Sequence, residues 1–314
     1  MASAPGLQRD LFIDVLYDAA QDDRDIMFIS ADLGAQALDR FRVDRASQFI
    51  HAGISEQQMM DMAAGLAMAG KKVFTYAMAC FATARCYEQT KCAVALHRQP
   101  VTLIGVGVGM GYDDAGPTHY TTEDMSAMRA LAGLELWTPG DAEATVALAH
   151  LALKKPALRY IRLERPALPD LYHGRFQDVI DDGCAELRQG TRLCLISCGY
   201  MLHRCLEVAT RLAEQGHSVG VIDLFRLKPL NAEVLVKILS RYERVMTVEE
   251  HFLYGGFGSA VLEGLHDVGH LMPVTRVGMP DHYFFENGTR AHLLKLCGLD
   301  VNSLTEKARA LLNA

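Results

Sequence analysis

The sequence lacks several features that would assign it to a familiar class of protein. Its 31 lysines and arginines are outnumbered by 38 aspartates and glutamates, so no basic excess indicates a nucleic-acid partner. Its apolar runs fall short of the roughly 20 residues that span a bilayer. The start of the chain has neither the basic nor the apolar region of a signal peptide. Together these absences predict a cytoplasmic protein that binds neither nucleic acid nor membranes.

Cysteine is present, but none of the eight residues forms a Cys-x-x-Cys pair. Several cysteines lie inside apolar runs, where buried free thiols are common. We therefore expect reduced thiols and no metal site built on them. The 314 residues, of which 50% are hydrophobic, are enough for two ordinary domains.

Short apolar, β-branched runs alternate with helical patterns along the chain, and this alternation predicts parallel sheets in an α/β protein. The stretch 166–182 contains two prolines and a glycine and has no clear period, so it is predicted to connect two domains. We place a first domain at 1–170, a linker at 171–183 and a second domain at 184–314. The main predicted strands are 25–30, 72–75, 100–108, 192–197, 218–224 and 244–249.

Glu56 lies where a predicted strand turns into a predicted helix. A glycine ends the alternating pattern of the strand, and a run of small and apolar residues follows. Because Asp61 is the only charged residue along the rest of that helix, we expect the Glu56 carboxylate to be at least partly buried. An acidic residue in the first helical turn is also stabilised by the helix dipole alone. The spacing by itself therefore leaves a purely structural role open.

This junction contains two motifs, Gly-Ile-Ser-Glu-Gln at 53–57 and Ala-Ala-Gly-Leu-Ala-x-x-Gly at 63–70. Both resemble the pyrimidine-binding domain of transketolase-type thiamine diphosphate enzymes. In that family the glutamate contacts the aminopyrimidine ring of the cofactor and shares a proton with it, which activates the cofactor's thiazolium carbon. The resemblance implies this role for Glu56 and places Ile54 at the cofactor as well.

Further cofactor contacts are implied at the ends of two other predicted strands. Phe81, in Phe-Ala-Thr-x-Arg-x-x-Glu-Gln, matches the aromatic residue that stacks on the pyrimidine. Met78 replaces a preceding aromatic residue of the family, and its thioether can also pack against a ring. Asp32, in Ala-Asp-Leu, matches an aspartate near the family's active site. Core packing for Phe81 and a turn for Asp32 remain the alternatives.

A third motif, Gly-Pro-Thr-His at 116–119, resembles the transketolase sequence whose histidine faces the substrate. The resemblance implies that His119 moves protons on a substrate hydroxyl or carbonyl at neutral pH. Without the motif, this histidine would be interpreted as a loop or cap residue. Common members have an aspartate just before the motif, where this chain has Ala115. We therefore predict that Asp114, immediately upstream, contacts the substrate.

The positions that bind substrate phosphate in the family are only partly kept. Gly107 stands where the sugar enzymes tend to have a histidine, and Gln36 stands in place of a serine. Arg165 matches the phosphate-binding arginine and suits a phosphate or a carboxylate. These residues predict an anionic substrate group and leave open whether it is a phosphate.

The resemblance extends over nearly the whole chain. Around Glu249, Glu250 and His251, a glycine-rich segment resembles a motif of the C-terminal domain, where glycines let a helix start close to a neighbouring backbone. The family uses that domain mainly for assembly, so we predict no catalytic role there. The implied fold is two doubly wound α/β domains, a parallel-sheet pyrimidine-binding domain followed by a mixed-sheet C-terminal domain.

The Gly-Asp-Gly motif, through which the family binds the diphosphate and Mg²⁺ in a separate preceding domain, is absent from this sequence. We therefore expect this chain to be the C-terminal subunit of a split enzyme. Its partner would be an N-terminal subunit with that motif, in an α2β2 heterotetramer that binds thiamine diphosphate and Mg²⁺. Small residues between 63 and 69 would pack across such an interface or within the domain.

The predicted reaction is transfer of a two-carbon ketol, or a related acyl unit, from a ketose or keto acid to an aldehyde. A beta subunit of a 2-oxo-acid decarboxylase or dehydrogenase remains an alternative, which Ala115 and Gly107 keep open. A non-catalytic partner with the same fold is the other alternative. Glu56 argues against it, since a scaffold needs no carboxylate on an apolar helix.

Overall fold

In the computed structural model, which describes residues 6–31 and 34–313, the chain divides into two units. The first contains the residues up to Val108 together with Ala127–Gly174. The second contains Gly109–Ser126 together with the residues from Arg175 onward. The loop 109–126 thus groups with the second unit, although its place in the sequence assigned it to the first domain. The domain ranges of the sequence analysis stay a prediction.

The first unit is built on six parallel strands in the order β5-β6-β4-β3-β1-β2. Every residue of β1 and β4 is buried, as expected for the interior strands of a parallel sheet. The elements up to residue 163 are α1 (Gln8–Asp22), β1 (Ile26–Ala31), α2 (Gln36–Asp44), β2 (Phe49–Gly53), α3 (Glu56–Met68), β3 (Lys72–Met78), α4 (Tyr87–Gln89), β4 (Val101–Val106), α5 (Asp124–Arg129), β5 (Glu135–Trp137), α6 (Ala142–Lys154) and β6 (Arg159–Leu163).

The strand order brings the ends of β1, β2 and β3 to one edge of this sheet. The chain passes from β1 to β2 on one side and then to β3 on the other, so β1 lies between them. Parallel α/β sheets bind ligands at the carboxyl ends of strands where the order reverses in this way. Of the predicted residues, Ile54 directly follows β2 and Met78 ends β3, whereas Asp32 falls outside the described residues.

Helices cover the sheet through apolar faces. Aromatic rings form much of the core, with Phe28 stacked on Phe41 at 5.3 Å between ring centroids. Asp141 is the N-cap of α6, since its carboxylate accepts the backbone N–H of Ala144 at 2.8 Å. The small residues between 63 and 69 differ in burial. Three alanines pack inside this unit, and two residues, Gly65 and Ala69, are exposed.

The second unit contains a mixed sheet in the order β12-β11-β8-β9-β7, in which only β7 runs antiparallel to its neighbour. Together with the parallel first sheet, this arrangement confirms the predicted fold class. Its elements are α7 (Phe176–Val179), β7 (Ala185–Arg188), β8 (Leu193–Ser197), α8 (Gly199–Ala213), β9 (Val219–Asp223), β10 (Arg226–Lys228), α9 (Ala232–Leu239), β11 (Arg244–Phe252), α10 (Phe257–Asp267), β12 (Val274–Met279), α11 (Arg290–Leu296) and α12 (Val301–Asn313).

The predicted linker is more ordered than its sequence suggested. It contains α7, whose Phe176 is buried and packs against Phe225 at 4.8 Å between ring centroids. Four residues are too few to show a helical period, which is why the sequence pattern did not reveal this helix. No helix in the described ranges is long and apolar enough to cross a membrane.

The eight cysteines are free thiols that differ widely in burial. Burial raises the pKa of the Cys86, Cys184, Cys205 and Cys297 thiols to about 12, whereas Cys92 is exposed. Because the thiolate is the reactive form, both burial and the raised pKa disfavour alkylation of these four thiols.

We therefore expect a thiol reagent at mildly alkaline pH to label Cys92 rapidly, and the five buried cysteines, which include Cys194, only after unfolding. Mass spectrometry of labelled peptides, with and without denaturant, measures this difference. Cys92→Ser is the control and should remove the fast phase. Rapid labelling of Cys86 or Cys205 in the folded chain would contradict this account.

Candidate active site

The junction between β2 and α3 presents a buried carboxylate. Gly53 ends the strand with φ of +74°, a conformation that favours glycine, and α3 begins at Glu56. The Glu56 residue is 4% exposed, as expected from its apolar helix. Ile54, just before it, is 77% exposed, which is unusual for a large apolar side chain. An acid is thus held in an apolar setting beside a hydrophobic side chain that faces outward.

Arg85 compensates the buried charge of Glu56. Its Nη1 donates to Glu56 Oε2 at 2.8 Å, and its side chain is 39% exposed. Within 6–31 and 34–313, Arg85 is the only hydrogen-bond donor to that carboxylate. A buried carboxylate needs such a partner, because burying an unpaired charge carries a large desolvation penalty. The contact involves only one of the two oxygens, so Oε1 can accept a hydrogen bond from a ligand.

The same arginine contacts Phe81. The guanidinium carbon lies 3.9 Å from the centroid of the Phe81 ring, a close cation–π contact. Both residues belong to a π-helical turn, Phe81–Arg85, and single turns of this kind occur often at functional sites. Glu56, Arg85 and Phe81 therefore form one cluster. Sequence analysis missed the role of Arg85, although Phe81 and Arg85 stand four residues apart in the quoted motif.

Two other predicted residues of the first unit lie at strand ends. Met78 is the last residue of β3 and is half-buried. Arg165 is exposed and follows the end of β6 by two residues. Gly107 has φ of +81°, and its N–H donates to Leu163 O at 2.9 Å. That backbone conformation accounts for glycine where the family resemblance places a histidine.

The remaining predicted residues belong to the second unit. His119 is half-buried, and its backbone N–H donates to Gly116 O at 3.0 Å. Its ring Nδ1 lies 3.0 Å from the Thr118 hydroxyl, which orients the imidazole. Asp114 is exposed in the same loop. The structure thus brings Glu56 and Phe81 together in one unit, through Arg85, and places His119 and Asp114 on one loop of the other.

The glycine-rich segment of the second unit serves a helix start, as predicted. Glu249 accepts the backbone N–H groups of Phe257 and Gly258 at 2.7 and 2.9 Å, so it caps α10. A Cβ on Gly256 would lie 2.7 Å from the carbonyl oxygen of Phe252 and closer still to the Glu249 carboxylate. Only glycine allows this approach.

Metal ligands were expected on a partner rather than on this chain. Among the side chains that the structure describes, no group of three or more His, Cys, Asp or Glu is arranged to hold a metal ion. The site residues found here are one acid, one aromatic ring, one arginine and apolar neighbours. Such a set suits an aromatic heterocycle better than a diphosphate.

Comparison with known proteins places this chain in a family. The family model of the transketolase pyrimidine-binding domain matches residues 8–170, and that of the transketolase C-terminal domain matches residues 183–304. A subunit of the apulose-4-phosphate transketolase of Phocaeicola vulgatus is 33% identical over 96% of both chains. The 6-deoxy-6-sulfo-D-fructose transketolase subunit SqwH of a Clostridium species is 32% identical over 96% of this chain and 92% of its own.

A solved structure, described as a split gene transketolase in an inactive beta4 tetramer, has the same fold. It superposes with a TM-score of 0.87 at 30% identity and covers 98% of each chain. The matches extend through both units and include the segments that carry Glu56, Phe81 and His119. The chain therefore belongs to the transketolase family, of which it contains the pyrimidine-binding and C-terminal domains.

Proposed function

We propose that this chain is the C-terminal subunit of a two-component, thiamine diphosphate-dependent transketolase-like enzyme. Its reaction is the transfer of a two-carbon ketol, or a related acyl unit, from a ketose or keto acid to an aldehyde. The observation that carries the proposal is the cluster of Glu56, Arg85 and Phe81. It provides a buried acid beside an aromatic ring at the strand ends where this fold binds ligands.

The cluster fits the aminopyrimidine end of the cofactor. Glu56 Oε1 would accept a hydrogen bond from the ring or share a proton with it, while Ile54 and Met78 supply apolar contact. Arg85 covers one face of the Phe81 ring, so a pyrimidine stacks on the opposite face or displaces the guanidinium. Thiamine diphosphate supplies the carbanion that this chemistry requires. This chain holds the acid, orients the ring and excludes water from one side.

A partner subunit completes the enzyme in this proposal. The chain has no Gly-Asp-Gly motif, and the residues described in the structure offer no metal-binding group. Binding of Mg²⁺ and the diphosphate is assigned to an N-terminal subunit that carries the motif, in an α2β2 heterotetramer. Support comes from two relatives named as transketolase subunits and from the inactive beta4 tetramer of the split gene transketolase.

The substrate is proposed to carry an anionic group that Arg165 binds. The name of one relative includes a 4-phosphate, and that of another includes a 6-sulfo group, so both names describe anionic sugars. Arg165 is exposed and always charged, as recognition of either group requires. His119 would move protons on the substrate, and Asp114 would contact one of its hydroxyls.

Calorimetry tests the subunit assignment. Thiamine diphosphate with Mg²⁺ is titrated into this chain, into the Gly-Asp-Gly subunit encoded in the same genome, and into their mixture. We expect saturable binding by the mixture and none by this chain alone, because the diphosphate ligands lie on the partner. Tight binding by the isolated chain would refute the split site. Failure of every mixture to bind would favour a non-catalytic scaffold.

A further inference from the structure

The loop that carries His119 is closed at its base within the second unit. The N–H of Gly109 donates to Thr121 O at 3.0 Å, and the N–H of Thr121 donates back to Gly109 O at 2.7 Å. Next to this pair, the N–H of Phe252, the last residue of β11, donates to Thr122 O at 3.0 Å. The segment Gly109–Thr121, called here the His119 loop, is therefore anchored to β11 where it begins and ends.

Glu250, on β11, contacts the first residues of the His119 loop directly. Its Oε1 accepts the backbone N–H of Met110 at 2.9 Å. A Cβ on Gly109 would lie 2.7 Å from the Glu250 carboxyl carbon, and Gly109 has φ of +60°. Both facts explain the glycine, because any larger residue would push the carboxylate off the loop.

Arg290, the first residue of α11, contacts both Glu250 and the loop. Its Nε lies 3.0 Å from Glu250 Oε1 and its Nη2 lies 2.5 Å from Oε2. Its guanidinium carbon is 3.9 Å from the centroid of the Tyr200 ring. Its backbone N–H donates to Asp113 Oδ2 at 2.6 Å, in the middle of the loop. One arginine thus joins the buried acid to a second point on the loop.

The burial of this pair makes it unusual. The side chains of Arg290 and Glu250 are 9% and 5% exposed. A buried ion pair adds little net stability over an apolar pair of the same shape, but loss of one partner leaves an uncompensated charge. The main effect of the pair is to fix a position. The two charge-assisted contacts from Arg290 hold the Glu250 carboxylate where it accepts the backbone N–H of Met110.

We propose that Glu250 and Arg290 are positioning residues, which act through the His119 loop to set where His119 and Asp114 meet the substrate. The proposal rests on the proposed function for the role of His119. The proposal also gives different roles to the two aspartates that precede Ala115. Asp113 anchors the loop through Arg290, and Asp114 is the acid assigned to the substrate.

The first test measures the loop itself, by hydrogen exchange of the isolated full-length chain. In Glu250→Gln and Arg290→Met, peptides that cover 109–121 should exchange at least about tenfold faster, because their anchoring hydrogen bonds open more often. Glu249→Gln is the matched control. That residue is adjacent and also buried, and its carboxylate caps α10 by accepting the N–H groups of Phe257 and Gly258. Unchanged protection of the loop in both variants would refute the proposal.

The second test measures kinetics in the complex with the partner subunit. Both variants should lower kcat/KM for the donor about 10- to 100-fold, because small displacements of a reacting group are costly, while the Kd of thiamine diphosphate stays at the wild-type value. Glu249→Gln should leave both quantities near wild type. Should Arg290→Met fail to fold, Arg290→Lys keeps the charge without the two-pronged contact and serves instead.

The two tests separate this proposal from the proposed function. Faster exchange of the loop without any change in kcat/KM would overturn the positioning role while leaving the enzyme assignment intact. A parallel fall in cofactor binding would also overturn it, because the pair would then act on the whole fold. If wild type and partner turned over no ketose, the proposed function and the positioning role would fall together. The exchange measurement would then still report whether the pair holds the loop.

Discussion

Glu56→Gln is expected to lower the turnover of the assembled enzyme by about 10²- to 10⁴-fold, the range typical of lost proton transfer. The amide keeps the shape and a hydrogen-bonding oxygen, but it cannot exchange a proton with the pyrimidine. It also leaves Arg85 without its carboxylate partner at 2.8 Å. The loss should therefore appear in kcat at saturating cofactor, and initial rates with excess thiamine diphosphate measure it.

Asp61→Asn is the matched control for this experiment. Asp61 is the other acid of α3, but it is exposed and lies one turn further along the helix. Its substitution should leave kcat near wild type. If Glu56→Gln kept a tenth or more of the activity, the acid would not carry the chemistry. If both variants lost activity equally, the effect would come from the charge or stability of α3.

Gly190→Ala is expected to destabilise the second unit by more than about 3 kcal/mol. Gly190 lies between β7 and β8, and a Cβ there would fall 2.9 Å from the Cα of Gly220 and still closer to other backbone atoms of β9. A side chain can rotate away from such a clash, but a strand in the middle of a sheet cannot. The Gly190 N–H, which donates to the Tyr242 hydroxyl at 3.0 Å, would be displaced too.

Urea unfolding of the isolated chain measures this effect, and Gly65→Ala provides the control. Gly65 is exposed on α3, and a Cβ there would meet no atom within 4 Å. That variant should gain roughly 0.5–1 kcal/mol, because alanine is favoured over glycine inside a helix. Two units can unfold separately, so the transitions are followed with probes in each. A wild-type unfolding midpoint for Gly190→Ala would contradict this prediction, because it would show that β9 can move away from the added methyl group without loss of stability.

Features of the fold that depend on neighbouring residues could be predicted from short patterns in the sequence. The alternation of apolar runs predicted two α/β units, and the charge-poor helix predicted the burial of Glu56. Asp141 stands directly before the apolar run of α6, where an N-cap is expected, and its carboxylate caps that helix. In each case the signal used lies within a short stretch of the sequence.

The rest of the site depends on contacts between distant parts of the sequence. Arg85 reaches a carboxylate 29 residues earlier, and Glu250 bonds to an amide 140 residues before it. Arg290 and Asp113 are 177 residues apart. Periodicity and capping rules describe neighbours along the chain, so they carry no information about such pairs. Only the fold reveals that Glu250 contacts the His119 loop.

The grouping of 109–126 with the second unit bears on how such subunits can be recombined. A crossover near residue 175 that follows domain order would join a loop from one parent to a Glu250–Arg290 pair from another. To keep the loop with its own Glu250–Arg290 pair, a chimera should take two segments from the same parent, 109–126 and the residues after 174. Natural recombination faces the same constraint. A change of specificity that begins in the loop must be matched by residues encoded more than a hundred positions downstream.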